Sequence, residues 1–409
     1  MLRKYASIFM ILALVLGGTH TALSQSGLVS HYSFDDCTFS DIRSGFDGSA
    51  FGTNRCECGV ITNAFAFDGT LQTAVLDTAI TEELSSTDWS ISLYVRVQND
   101  ETENVDILYL GEECRQDSIF SLRFLGGIQR FRCVISETLG SEFRLDGSID
   151  PNSCWQYVVI TKEDRTARMY INGELTEEAG AGANVQLNIN GLIRIANSPC
   201  QISGANPDVK FRGFIDELKI FDRALTEREV QQTNLQVDKI LTRDTTIFVG
   251  SSIRLETGGT CSSNFEWTPS EFLDDPTSLS PISSPQRDVT YTLNIEESDC
   301  QSIDQVTIRV ADPSNLTCEG LVLPSAFTPN DDAINDRYGI SNGFLISELR
   351  SFEIFNRYGG RVFFANDPAA TWDGRHKGFE APASSYVYRV NYLCEGQLFT
   401  KTGVVNLIR

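Results

Sequence analysis

The strongest constraint on this 409-residue chain is its period-two texture. Short runs alternate apolar and polar residues, as in Trp89-Ser90-Ile91-Ser92-Leu93-Tyr94-Val95 and Trp155-Gln156-Tyr157-Val158-Val159-Ile160. Clusters of Gly, Asn, Asp and Ser separate them. Side chains on a strand point alternately to opposite faces, so each run can line a core with one edge and meet another surface with the other. Met169-Tyr170-Ile171-Asn172-Gly173-Glu174-Leu175 places Asn-Gly between two such runs. Both residues accept positive φ, which predicts a type I′ hairpin. Helical spacing is confined to Leu225–Gln232, with Thr226 as N-cap and Glu229 at the capping-box position. The predicted class is all-β, and the length suits about two to four domains.

The first residues read as an export signal. Arg3 and Lys4 precede an uncharged apolar run, Ile8 to Gly18, and Ala22-Leu23-Ser24 offers small residues for cleavage before Gln25. The run is shorter than the roughly 20 residues that span a bilayer. No Cys stands at the cleavage point, and no later stretch is apolar enough for a transmembrane segment. Residues 1–24 are therefore expected to be a signal peptide, leaving a soluble or surface-attached protein. The formal charge is −22, and removing Arg3 and Lys4 with no acid makes it −24 (−22 − 2). Such a chain lacks the cationic balance that nucleic acid or anionic lipid requires. The charge is compatible with a divalent cation, and it also serves solubility.

Three segments resemble known families. Residues 25–233 carry His31-Tyr32-Ser33-Phe34-Asp35, then Asn63-Ala64-Phe65-Ala66-Phe67-Asp68-Gly69. They close on Gly213-Phe214-Ile215-Asp216-Glu217-Leu218-Lys219-Ile220-Phe221-Asp222-Arg223-Ala224-Leu225. This series resembles the LamG-like jelly roll of the concanavalin A-like lectin/glucanase superfamily. Residues 234–312 hold at least five short strand-like runs, among them Phe265-Glu266-Trp267 and Gln305-Val306-Thr307-Ile308-Arg309-Val310. They resemble PKD-like, immunoglobulin-like spacer domains. Residues 313–409 contain Leu323-Pro324-Ser325-Ala326-Phe327-Thr328-Pro329-Asn330-Asp331-Asp332, Phe355-Asn356-Arg357-Tyr358-Gly359-Gly360 and Val404-Val405-Asn406-Leu407-Ile408-Arg409. They resemble the gliding-motility-associated C-terminal domain, the type B sorting domain of the type IX secretion system of Bacteroidetes. The resemblances imply a jelly-roll sandwich followed by two small immunoglobulin-like β-sandwich domains, exported by that machinery.

All 11 cysteines follow residue 24. In an exported protein they suggest disulfides rather than a thiol enzyme. If the domains fold separately, Cys261 has only Cys300 as a partner, and Cys318 has only Cys394. Seven remain: Cys37, Cys56, Cys58, Cys114, Cys133, Cys154 and Cys200. Seven is odd, so one thiol is free or pairs outside the first domain. Cys56 and Cys58 are too close to bridge each other easily, so one of them is expected to pair with Cys37.

Enzyme signatures are missing. After signal removal only His31 and His376 could serve a nucleophile–histidine site, and both read as structural or merely exposed. No GxSxG or HExxH motif occurs. Glucanases of the jelly-roll superfamily carry alternating acids on one strand, whereas Asp216 and Glu217 are adjacent. By the resemblance, that pair belongs to the structural end of the domain. Trp89 and Trp155 have the chemistry of sugar platforms, yet both begin apolar strands and read as core. The loop residues Asn330, Asp332, Asn335 and Asp336 offer oxygens to calcium, with Asx-turn bonding as the alternative. No cofactor is required. The residues expected to matter for sorting are Phe327, Pro329, Asn330, Asp332, Asn335, Asp336, Leu407 and Arg409. The function expected is that of a secreted or cell-surface, non-catalytic protein whose jelly roll binds a polysaccharide or surface glycan. A polysaccharide-degrading enzyme and a structural or adhesive protein are the alternatives.

Overall fold

The computed structural model describes residues 26–84, 88–98, 101–111, 118–138, 141–181, 191–199, 210–297, 300–312, 317–330 and 335–409. The expected signal peptide, Cys114, Cys200 and Asp332 lie outside them. The fold is all-β. It divides into one compact unit ending at Val310 and a second from Ala311 to Arg409.

The first unit begins with two facing antiparallel sheets. One runs in the order Glu174–Gly180, Thr166–Ile171, Gln156–Glu163, Trp89–Val97, Arg212–Phe221, Asn63–Asp68 and Cys56–Cys58, with Leu28–Tyr32 also paired to Arg212–Phe221. The other runs Ser141–Ser148, Arg130–Thr138, Ile119–Leu125, Asn104–Leu110, Ile193–Ile195, Thr73–Val75 and Ser49–Phe51. Alternation explains the core between them. Trp89, Ile91, Leu93 and Val95 meet Phe120, Leu122, Phe131 and Leu145 in one buried cluster. Trp89 is fully buried and packs edge-on against Phe120. The Asn172-Gly173 turn joins its two strands with φ of 53° and 87°. Asn172 accepts from the Tyr157 amide through its side chain, at 2.8 Å. The helix Glu227–Thr233 carries the full capping box: the Glu229 amide donates to Thr226 Oγ1, and the Thr226 amide donates to Glu229 Oε2.

The intervening residues of the same strands build a second cluster on the outer face of the eight-stranded sheet. Tyr94, Tyr157, Val159, Phe214 and Trp155 pack there with Val230, Val237 and Cys300. The smaller sandwich therefore sits on this face. Its sheet runs Thr245–Phe248, Cys300–Ala311, Val289–Glu297 and Asn264–Thr268, beside a short pair, Ile253–Arg254 with Ile282–Ser283. Trp267, Tyr291, Leu293, Ile295, Val306 and Ile308 form its own core.

This packing corrects the expected cysteine pairing. Cys261 and Cys300 are not bonded to each other. Cys261 is bonded to Cys58, and Cys300 to Cys154, with Cα separations of 5.6 and 5.8 Å. The expectation assumed sandwiches that fold apart, but here both cysteines of the smaller one face the larger. In the loop-closure account either bridge alone would contribute about 5 kcal/mol, and the second adds less because the first has already shortened its loop. Cys37 pairs with Cys56. Cys133 is unbonded and buried in the core between the sheets.

The second unit is a five-stranded sheet in the order Ala326–Phe327, Gln397–Leu407, Ser384–Cys394, Glu348–Phe355 and Arg361–Ala365, with a small hairpin, Arg375–His376 and Phe379–Glu380. Cys318 is bonded to Cys394. Ala326 and Phe327 pair in parallel with Asn406 and Leu407, so the sheet ties together residues about 80 apart in sequence.

Candidate functional site

The first unit presents two different outer surfaces. That of the eight-stranded sheet is occupied by the smaller sandwich. That of the seven-stranded sheet carries a row of charge set by strand register. In Arg130–Thr138 the core takes Phe131, Cys133 and Ile135, so Arg130, Arg132 and Val134 point outward. The same alternation puts Arg144, Asp146, Ser121, Arg123 and Arg194 on that side, and a bulge between Asp106 and Leu108 puts both Asp106 and Tyr109 there; Ser121, Asp106 and Tyr109 are themselves buried. Pairing aligns Asp146, Arg132, Arg123 and Asp106 straight across four strands. A second row aligns Arg144, Val134, Ser121, Tyr109 and Arg194 across five.

The acids hold the outer ends of the first row. Arg132 donates two bonds to Asp146, at 2.6 and 2.7 Å. Arg123 donates to Asp106 at 3.0 Å, and Ser121 donates to the same oxygen at 2.8 Å. The bond from Arg132, against a smaller opposing effect of burial, holds Asp146 below the usual carboxylate range. Arg194 donates to the Gly111 carbonyl at 2.6 Å. Arg130 and Arg144 are exposed, and Arg123 and Arg132 are half-buried. These arginines sit on a chain whose formal charge is −22.

The candidates read from sequence fall elsewhere. Trp89 and Trp155 are both core residues, at 0% and 2% exposure, so neither is a platform. His31 Nε2 lies 3.1 Å from Glu217 Oε2, and Lys219 Nζ lies 2.5 Å from the same oxygen. Asp216 is buried; Oδ2 accepts the Val60 amide at 2.7 Å and Oδ1 the Glu217 amide at 2.8 Å. Gly59 makes room for it, since a Cβ there would lie 2.5 Å from Asp216 Oδ2. Both acids of the pair are thus occupied in holding strands together.

Burial, opposed by the Val60 amide bond and helped by neighbouring Glu217, pushes Asp216 up to about 7. Burial, helped by Asp238 and opposed by Arg96, does the same to Glu297. A carboxyl whose folded pKa lies above its unfolded value binds an extra proton in the folded state. Its contribution is complete below its ordinary pKa, 3.8 for Asp216, and is lost as pH rises through about 7. The stability of the first unit is expected to fall between about pH 5 and pH 8 by a few kcal/mol. Thermal melts across that range should show a shallower fall for Asp216→Asn, and an unchanged slope would contradict the assignment.

In the second unit, Asp336 Oδ1 accepts the Asn330 amide at 2.9 Å, and the Asn335 carbonyl accepts from Thr328. This is turn-capping geometry around Asn330, Asn335 and Asp336. No group of three or more His, Cys, Asp or Glu suited to a metal occurs among the described residues. Phe327 and Leu407 are buried against Trp372 and Tyr338. Pro329 and Leu407 flank Gly374, and Arg409 donates to the Gly374 carbonyl at 3.1 Å and pairs with Glu380 at 2.7 Å. Phe327, Pro329, Leu407 and Arg409, among the residues expected to matter for sorting, thus gather around Gly374 at one end of this sheet. Beside them, Tyr358 and Phe379, 85% and 80% exposed, border a hollow of about 370 Å³ whose wall includes His376 and the Arg409 partner Glu380.

Comparison with known proteins agrees with this architecture. Residues 68–231 match the concanavalin A-like lectin/glucanases superfamily model, and residues 321–407 match the CHU_C type IX secretion signal domain. No curated protein matches the chain. Among solved structures, domain 4 of AbnA, an extracellular arabinanase of Geobacillus stearothermophilus, is 20% identical over 51% of this chain and 98% of its own, with a TM-score of 0.40. The receptor-binding domain of botulinum neurotoxin D is 13% identical over 68% of this chain and 75% of its own, at 0.41. A Trypanosoma rangeli sialidase is 18% identical over 50% of this chain and 32% of its own, at 0.37. The two family matches, rather than these distant likenesses, carry the assignment. The chain joins a concanavalin A-like lectin/glucanase domain to a type IX secretion signal domain, which marks it for export to the secreted or cell-surface space.

Proposed function

We propose that the protein is an exported, non-catalytic glycan-binding protein, and that the outer face of the seven-stranded sheet is its binding surface. The observation that supports this most is the contrast between the two outer faces. One is sealed by an apolar cluster under the smaller sandwich. The other carries arginines held in register by the strands beneath them, Arg130 and Arg144 exposed and Arg123 and Arg132 half-buried, over the buried Ser121, Tyr109 and Asp106. Aligned polar groups on a rigid sheet suit recognition of a hydroxyl-rich chain, because little ordering entropy is lost on binding. Catalysis is disfavoured by how the carboxyls are used. Hydrolysis of a glycosidic bond needs two carboxyls roughly 5–10 Å apart flanking the sugar, with one kept protonated. Asp106 and Asp146 are instead each tied to an arginine, and the arginine bond keeps Asp146 ionised.

The smaller sandwich then acts as a brace for the jelly roll, and the C-terminal unit is the part read by the type IX machinery. The test is retention of the purified mature protein on a panel of immobilised polysaccharides, in calcium and in EDTA, with released reducing ends scored in parallel. Retention without release is expected. Release of reducing ends would overturn the non-catalytic reading, and the absence of retention on every polysaccharide would overturn glycan binding.

A further inference from the structure

The face proposed above also indicates what charge its ligand bears. Arg123 and Arg132 stand directly opposite each other on neighbouring strands. Like charges in that position destabilise a sheet, and a row built only for stability would alternate signs. Here the order is acid, base, base, acid, with both acids on the outside. Asp146 and Asp106 engage Nε and, for Arg132, Nη2, while Arg123 Nη2 lies 3.3 Å from Ser121 Oγ. Nη1 of each arginine has no protein hydrogen-bond partner among the described residues. Arg144, one position along on the adjoining strand, is exposed and makes no side-chain hydrogen bond or ion pair among them. Among the described residues, the five outward arginines of this face stand against Asp106, Asp146, Glu142 and Glu177, which accepts the Asp146 amide, a balance of five to four on a chain that as a whole carries −22.

We infer that this face takes an anionic polysaccharide, with carboxylate or sulfate groups bridging Arg123 and Arg132 and a further group meeting Arg144. The inference rests on the glycan-binding reading. A planar guanidinium held by a carboxylate on one side presents its remaining donors in a fixed fork, the geometry that bidentate recognition of an oxyanion uses. Arg144 and Arg194, the ends of the second row, lie about 19 Å apart across five strands at about 4.8 Å spacing, with Ser121 and Tyr109 buried between them. That length accommodates several sugar units rather than a single small anion. The overall negative charge makes non-specific adsorption of a polyanion unfavourable, so retention would report the local face.

The experiment measures binding of the mature protein to polygalacturonate, dextran sulfate and neutral dextran at low and high salt. The expected result is binding to a charged polymer and not to dextran, weakened by salt, with the two charged polymers separating carboxylate from sulfate. The double variant Arg123→Lys/Arg132→Lys keeps both charges and removes the fork, and is expected to weaken binding by roughly tenfold. Arg144→Ala, at an exposed position with no fold contact to lose, should weaken it several-fold, and Arg309→Ala on the smaller sandwich should not. Equal binding to dextran, or binding indifferent to these arginines, would overturn the anionic ligand while leaving glycan recognition standing. Binding to none of the three, together with no retention on the wider panel, would overturn both.

Discussion

Replacing Arg96 with alanine is expected to destabilise the first unit by about 3–5 kcal/mol, the cost of leaving a buried charge without its partner. Arg96 lies on the outward side of the strand Trp89–Val97, where its guanidinium stacks 4.1 Å from the Phe214 ring centroid. Nη1 meets Oε2 of Glu297, the last residue of the strand Val289–Glu297. Both side chains are almost wholly buried, at 3% and 4% exposure. The pair therefore joins the two sandwiches in a place water does not reach. Its removal strands Glu297 near Asp238, a second buried acid whose pKa burial also raises. The defect should be worse at pH 8 than at pH 5, because protonation relieves an unpaired carboxyl. Denaturant unfolding at both pH values is the check. The exchange Arg96→Met with Glu297→Leu should recover most of the loss, since Arg96 Nε and Glu297 Oε1 already lack partners among the described residues. A loss below about 1 kcal/mol at pH 8 for Arg96→Ala would contradict the account.

Deleting Val404 to Arg409 is expected to unfold the C-terminal unit and stop delivery beyond the outer membrane. The strand Gln397–Leu407 lies between Ala326–Phe327 and Ser384–Cys394, so its end is bonded on both sides. The deletion removes Val405 and Leu407 from the core, at 0% and 2% exposure. Each such loss costs about 2–5 kcal/mol, and together they exceed the margin of a small domain. It also removes the parallel partner of Phe327 and the contacts of Arg409 with Gly374 and Glu380. Cell fractionation should find the truncated protein retained inside the outer membrane, and normal delivery to the surface or medium would contradict the role of this unit. A milder change, Arg409→Ala, leaves the strand pairing in place and should affect folding little.

Features governed by neighbours in sequence are legible in the sequence alone. The Asn172-Gly173 turn, the Thr226–Glu229 capping box and the core side of Trp89-Ser90-Ile91-Ser92-Leu93 depend on local stereochemistry and alternation, and the fold contains all three. The cysteine pairing is not legible in this way, because it depends on which face of one sandwich lies on the other. A clue is present in the alternation itself. The outward positions of the Trp89 strand pass from Ser90 and Ser92 to Tyr94 and Arg96, an aromatic and a cation that a solvent-facing edge does not need. The arginine row escapes for a similar reason. Arg123, Arg132 and Asp146 are spread over 24 positions of sequence and meet only through strand register. The pattern Arg130-Phe131-Arg132-Cys133-Val134 does show arginine on the non-core side of a strand. What it does not show is a second arginine directly opposite.

The most direct test of the account is hydrogen exchange on the mature protein with and without polygalacturonate. The predicted result is added protection concentrated in Ile119–Leu125, Arg130–Thr138 and Ser141–Ser148, with the smaller sandwich unchanged. Protection centred on the smaller sandwich or the C-terminal unit, with these three strands unaffected, would contradict the placement of the binding surface.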